Sequence, residues 1–124
     1  MSEASLNARV VRFINRCPRA KAIKIHGTSH TRAGTPDVVG SVRGRSFAIE
    51  GKVGRGVTTA RQERELLSWG DSGALTGVYR TVSEAAALLG LSDQLALRTE
   101  AGVARRQRRS TGNSLRATGG RHVG

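Results

Sequence analysis

Three residues carry the chemistry this sequence offers: Asp37, Glu50 and Lys52. Asp37-Val-Val-Gly-Ser-Val42 and Arg45-Ser-Phe-Ala-Ile-Glu50 are two β-type runs separated by Arg43-Gly44, a dipeptide ending in glycine of the kind that closes a hairpin. With Arg43 and Gly44 in the turn, Val42 faces Arg45 and, counting outward, Asp37 lands opposite Glu50. A four-residue loop keeps that register, whereas an odd-length loop or a bulge shifts it by one. Side chains alternate along a strand, so Glu50 and Lys52 share one face with Asp37, while Phe47, Ile49 and Val53 take the other. Two opposed carboxylates repel unless a cation, a shared proton or solvent relieves them. A divalent metal is the natural candidate, because carboxylate oxygens leave room around Mg²⁺ for water and a phosphate oxygen, and such an ion polarises phosphate and acidifies water.

Several residues in a fixed order surround this triplet. They are Glu3, Lys24-Ile-His26-Gly27, Gly34-Thr-Pro-Asp37, Gly44-Arg45, Phe47-Ala-Ile-Glu50-Gly-Lys52, Thr58 or Thr59 with Gln62, and Gly73-Ala74. Over roughly the first 90 residues this set resembles the PD-(D/E)xK nucleases, and within them the small VRR-NUC branch related to Holliday-junction resolvases. The resemblance implies a restriction-endonuclease-like α/β core, a mixed central sheet flanked by helices in the order αβββαβα. It also implies hydrolysis of DNA phosphodiester bonds with Mg²⁺ or Mn²⁺ held by Asp37, Glu50 and the carbonyl of Gly51, with Glu3 as the first-helix acid. Lys52 would stabilise the attacking hydroxide or the pentacovalent phosphate, and Gln62 would face the active centre. Branched or structured DNA, in recombination or repair, is the substrate the resemblance suggests. The middle of the Glu-x-Lys triplet departs from the family, which usually has a β-branched apolar residue where this chain has Gly51.

The elements that must position these residues are legible in outline. Leu6, Val10, Phe13 and Ile14 mark an amphipathic helix from residue 3 to about 16, capped by Ser2 and stopped by Pro18. A short strand is expected over Ala22 to Ile25, then a polar loop with His26, His30 and Arg32 leading into Asp37. His26 and Arg32 are phosphate-contact candidates there, a solvated polar loop being the competing reading. Lys24, on the strand expected beside the site, is a further phosphate-contact candidate. Val53 to Val57 reads as a flexible linker carrying Arg55 near Lys52.

Thr59-Ala-Arg-Gln62 is a capping box for a helix over about 60–69, with Leu66, Leu67 and Trp69 as apolar surface, so capping alone would account for Gln62. Gly70 is expected to close that helix. A buried strand from Ala74 to Tyr79 and a short helix over Glu84 to Leu89, capped by Ser83 and ended by Gly90, complete the pattern.

Charge indicates the partner class. The 124 residues hold 21 Lys and Arg against 9 Asp and Glu, a net charge of +12 that favours polyanions, nucleic acid above all. The domain is expected over 1–93. Residues 94–124 are expected to form an Arg-rich tail that is disordered when free, with six arginines and no acid from Ala101 onward. In it Arg105, Arg106, Arg108 and Arg109 would add salt-sensitive phosphate binding. No run is long and apolar enough to span a membrane, and no basic-then-apolar leader opens the chain, so a cytoplasmic DNA partner is expected.

Cys17 has no second cysteine to pair with, and a zinc site from Cys17, His26 and His30 lacks a fourth ligand. A homodimer is expected if two centres must engage one junction. The rival readings are a non-catalytic nucleic-acid-binding protein, with Asp37, Glu50 and Lys52 as an ordinary cross-strand charge cluster, and a recombination or packaging accessory working through its basic tail.

Overall fold

The computed structural model describes residues 1–27, 31–98 and 107. The first unit, Met1–Ser92, runs α1 (Glu3–Arg16), β1 (Ala20–Lys24), β2 (Val38–Val42), β3 (Arg45–Gly51), α2 (Ala60–Asp71), β4 (Leu75–Tyr79) and α3 (Val82–Leu88). The four strands form one mixed sheet in the order β1-β2-β3-β4, antiparallel except for the parallel β3–β4 pair. A parallel neighbour needs a crossover, and α2 supplies it. Among the described residues no helix is long and apolar enough to cross a membrane.

The central hairpin follows from its turn. Arg43 and Gly44 both take positive φ, 50° and 83°, as a two-residue type I′ turn demands, and Val42 pairs with Arg45 and Val38 with Ile49. That register, continued by one residue, sets Asp37 opposite Glu50.

The alternation along β3 divides the molecule. Phe47, Ile49 and Gly51 share a face with Gly77 and Tyr79 of β4, and there Gly77 lies under Leu88 of α3 while Gly51 lies under Asn7 of α1. Ala48 and Glu50 share the opposite face with Thr76, which lies under Gly70 of α2. β3 is thus covered on both sides, and its last five residues are buried. The α1 face holds the main core, with Leu6, Val10, Phe13 and Ile14 packed over Ala22, Val38, Phe47 and Ile49. Asn15 covers the outer edge of β1, its amide bonding both the N–H and the carbonyl of Ala22.

Several expectations need correction. The first strand starts at Ala20 and ends at Lys24, because it is as long as its partner β2. Thr81, not Ser83, caps α3, its hydroxyl accepting from the N–H of Glu84. Gly70 lies inside α2, which runs to Asp71, and the chain turns at Gly73 with φ 105°. Leu67 is 67% exposed, since one face of α2 packs on the sheet and Leu66 occupies it. β4 is only half covered, with Val78 exposed, because it is the last strand of the sheet.

Residues 92–98 are helical, so the stretch expected to be disordered does not start at residue 94, and they belong largely to a second unit beginning at Asp93. Arg105, Arg106, Arg108 and Arg109 of the basic tail, and His30 of the polar loop, lie outside the described residues.

Candidate active site

Glu50 is the anomaly around which the site is built. Its side chain is 1% exposed, it sits at the end of the central strand, and no cation pairs with it through a salt bridge among the described residues. One oxygen, Oε1, accepts from Gln62 Nε2 at 2.9 Å. The other, Oε2, is buried without a hydrogen-bond partner. Asp37, half-buried immediately before β2, accepts from the N–H of Gly51 through Oδ2 at 3.0 Å, which fixes its carboxylate beside the strand end that carries Glu50. Burial, reinforced by the charge and carboxyl of Asp37 and opposed by Lys52, pushes the Glu50 carboxyl up to about 8. At neutral pH Glu50 therefore keeps its proton unless a cation displaces it. A proton shared with Asp37 would also satisfy the orphaned Oε2.

Lys52 is 8% exposed, a burial unusual for lysine. Its N–H donates to the carbonyl of Tyr79, so pairing with β4 extends past the end of β3 and holds Lys52 in strand-like alternation with Glu50. The first turn of α1 approaches from the side: a carbon placed on Gly56 would lie 3.8 Å from Glu3 Oε2 and 3.7 Å from Lys52 Cδ. Glu3 thus stands near the lysine stem. It does not complete a set of three with the carboxylates, since among the described residues no three His, Cys, Asp or Glu side chains are grouped to hold a metal. Of the three zinc candidates, His30 lies outside the described residues, and Cys17 is buried with its thiol donating to the carbonyl of Phe13.

Gln62 both caps α2 and holds Glu50. Its Oε1 accepts from the N–H of Thr59 while its own N–H donates back to the Thr59 hydroxyl, the reciprocal capping box, and its Nε2 is left to hold Glu50. Helix initiation and carboxylate positioning are one structure here.

Gly51 has a local explanation. A Cβ there would lie 2.3 Å from Asn7 Oδ1 and 2.9 Å from the Tyr79 ring. The space that a β-branched residue would fill is taken by a buried pair in which the Tyr79 hydroxyl donates to Asn7 Oδ1 at 2.6 Å. Burial, and then the carboxylates of Asp37, Glu50 and Glu3, raise the Tyr79 phenol, so it stays a donor. Asn7 and Tyr79 were not singled out from sequence. Asn7 had a signal, since it is the polar member at helical spacing from Val10 and Ile14 on the apolar stripe.

The other candidates scatter. Lys24 pairs with Val38, which pairs with Ile49, so alternation puts Lys24 on the α1 face rather than on the face of Glu50. His26 is exposed, its carbonyl accepting from Thr31 Oγ1. Arg32 is exposed and pairs with Glu65 of α2 at 3.3 Å. Arg55 is exposed in the segment after Lys52, which is no loose linker: Arg80 donates to the carbonyls of Gly54 at 3.1 Å and Gly56 at 2.6 Å.

The donor set suits a hard divalent cation in composition, with two carboxylates, one buried oxygen lacking a partner, and a backbone carbonyl at Gly51. Burial makes the uncompensated anion costly, and a cation of that charge reverses the penalty. No protein-family model and no curated protein matches the chain.

Proposed function

We propose that this protein is a divalent-metal-dependent endonuclease that hydrolyses DNA phosphodiester bonds, on branched or structured DNA, using a restriction-endonuclease-like core of the PD-(D/E)xK kind. The observation that carries the reading is the buried Glu50 carboxyl with an unpartnered oxygen, set beside Asp37 and followed by a buried Lys52. A carboxyl raised to about 8 in a strand end open to Asp37 is poorly explained as a stability device, and perturbed acids of this kind concentrate at functional sites. The element order α-β-β-β-α-β-α and the basic charge support the same reading.

Asp37, Glu50 and the Gly51 carbonyl would hold Mg²⁺ or Mn²⁺, which when bound would supply Lewis-acid polarisation of phosphate and acidification of water. Gln62 keeps the Glu50 carboxylate aimed, and the N–H of Gly51 does the same for Asp37. Lys52 contributes a buried ammonium that stabilises the negative charge gathered on the phosphate during attack. Cytoplasmic action on DNA and a homodimer with paired centres belong to the same proposal, and light scattering of the purified chain tests the dimer.

One observation favours a second reading. The raised Glu50 carboxyl keeps its proton at neutral pH, which relieves its repulsion with Asp37 as a cation would and suits a nucleic-acid-binding protein without catalysis. The test incubates labelled duplex, flap and four-way-junction DNA with Mg²⁺, Mn²⁺ or EDTA. Metal-dependent cutting that falls on the order of 10²–10³-fold in Asp37→Asn and Lys52→Ala is expected. Binding without cutting by the wild-type chain on all substrates and metals would leave the second reading.

A further inference from the structure

Beside the carboxylates lies a surface whose chemistry the site does not use. A cavity of about 260 Å³ is lined by Ile25, Gly27, the segment Thr31 to Thr35, and Asp37. A second, of about 410 Å³, is lined by Arg32 and Ala33 from that segment and by Arg61, Arg64, Glu65 and Ser68 of α2. Arg32 and Ala33 line both, so the two cavities are neighbours on this segment, and together they mark out a groove between Asp37 and α2.

The groove is built rather than incidental. Gly34 takes φ 82°, and a Cβ on it would lie 2.9 Å from the carbonyl oxygen of Arg61, so only glycine lets the segment lie directly on the first turn of the helix. Arg32 pairs with Glu65 across the gap, and Thr35 bonds back to the Arg32 carbonyl through both its N–H and its hydroxyl. Arg61 and Arg64 are both exposed, and neither is paired to another described residue. They stand one turn apart on the same side of α2, with Cβ atoms roughly 5–6 Å apart. Like charges at that spacing repel, and an anionic chain running along the groove relieves them. The positive end of the α2 dipole adds to the same field.

We propose that this groove seats the sugar-phosphate backbone of the nucleic-acid strand that passes the Asp37–Glu50 site, with Arg61 and Arg64 as its phosphate contacts and Glu65 as the residue that positions Arg32. The assignment of the strand to the site rests on the nuclease reading; binding in the groove does not. Contacts to phosphates carry no base information, so binding through Arg61 and Arg64 is independent of sequence.

The test measures fluorescence anisotropy of labelled single-stranded and duplex oligonucleotides with the full chain in EDTA over a range of KCl, so cleavage plays no part. The Arg61→Ala/Arg64→Ala variant is compared with Arg12→Ala/Lys21→Ala, which removes the same charge from exposed positions outside the groove. Matching thermal melts establish that both variants fold. The groove variant is expected to bind about tenfold more weakly near physiological salt, its log–log salt slope shallower by about 1.4 on single strands or 1.8 on duplex. The control pair is expected to lose much less. Equal losses in the two variants, or none in the groove variant, overturn the proposal. A wild-type chain that binds through Arg61 and Arg64 but cuts nothing keeps the groove and removes the nuclease. Metal-dependent cutting with Arg61 and Arg64 indifferent to binding does the reverse.

Discussion

The two faces at the end of β3 bury polar groups in opposite ways. On the α1 face Asn7 and Tyr79 meet at 2.6 Å, a neutral donor with a neutral acceptor, and Gly51 gives them room. On the α2 face, one residue back along the strand, Glu50 is as deeply buried, but one oxygen has a single amide donor and the other has none. A satisfied polar pair adds order to a core at little cost, whereas an acid left short of partners is maintained against its own desolvation. The first arrangement is what stability alone selects. The second makes sense where a ligand completes it.

The largest test of that contrast is pH. The Glu50 carboxyl sits at about 8 in the folded chain against 4.5 when exposed, so between those values the folded state binds the extra proton and metal-free stability falls as pH rises. Across that window the loss is roughly 3–5 kcal/mol, at 1.4 kcal/mol for each pH unit. Urea denaturation in EDTA from about pH 5 to 8 should show it, Glu50→Gln should flatten it, and saturating Mg²⁺ or Mn²⁺ should remove it from the wild type. A flat wild-type profile would erase the distinction between the faces.

The opposite face gives the next effect. Gly51→Val, which installs the β-branched residue common at this place in the resembled family, should destabilise by about 3 kcal/mol through collision with Asn7 and Tyr79. Adding Asn7→Ala should recover part of that loss, because the first clash is with the Asn7 amide. Equal destabilisation with and without Asn7 would mean that strand geometry, not this pair, selects glycine.

The smallest effect falls on Gln62, which touches both the helix cap and the acid. Gln62→Glu keeps an acceptor for the N–H of Thr59 but replaces the amide that holds Glu50 with a third carboxyl. Thermal stability at pH 5 should change by less than about 1 kcal/mol, while the pH dependence of stability moves to higher pH as Glu50 is pushed further up. A pH dependence that does not move would assign Gln62 to the cap alone.

The elements and register were readable because they depend on local rules. Arg43-Gly44 closed a two-residue turn, the count outward from it fixed every pair from Val42–Arg45 to Val38–Ile49, and the capping box announced α2. The amphipathic stripe of α1 gave its ends and its buried face. Expectations failed where a residue's setting depended on distant partners. Leu67 is apolar but points outward, Lys24 lies on the wrong face of the sheet for Asp37, and the segment after Lys52 is tied by Arg80 from another strand end.

By itself, then, the sequence determined that two acids and a lysine meet at the end of a hairpin, because turn chemistry and alternation with a period of two leave little choice. Only the tertiary structure decided what that meeting means. The packing of α2 deprives Glu50 of water and a second partner, α1 and β4 explain Gly51 by filling its space, and a glycine against the Arg61 carbonyl forms the arginine-lined groove. Desolvation and close approach are properties of surfaces brought together from far along the chain, and no local spacing encodes them.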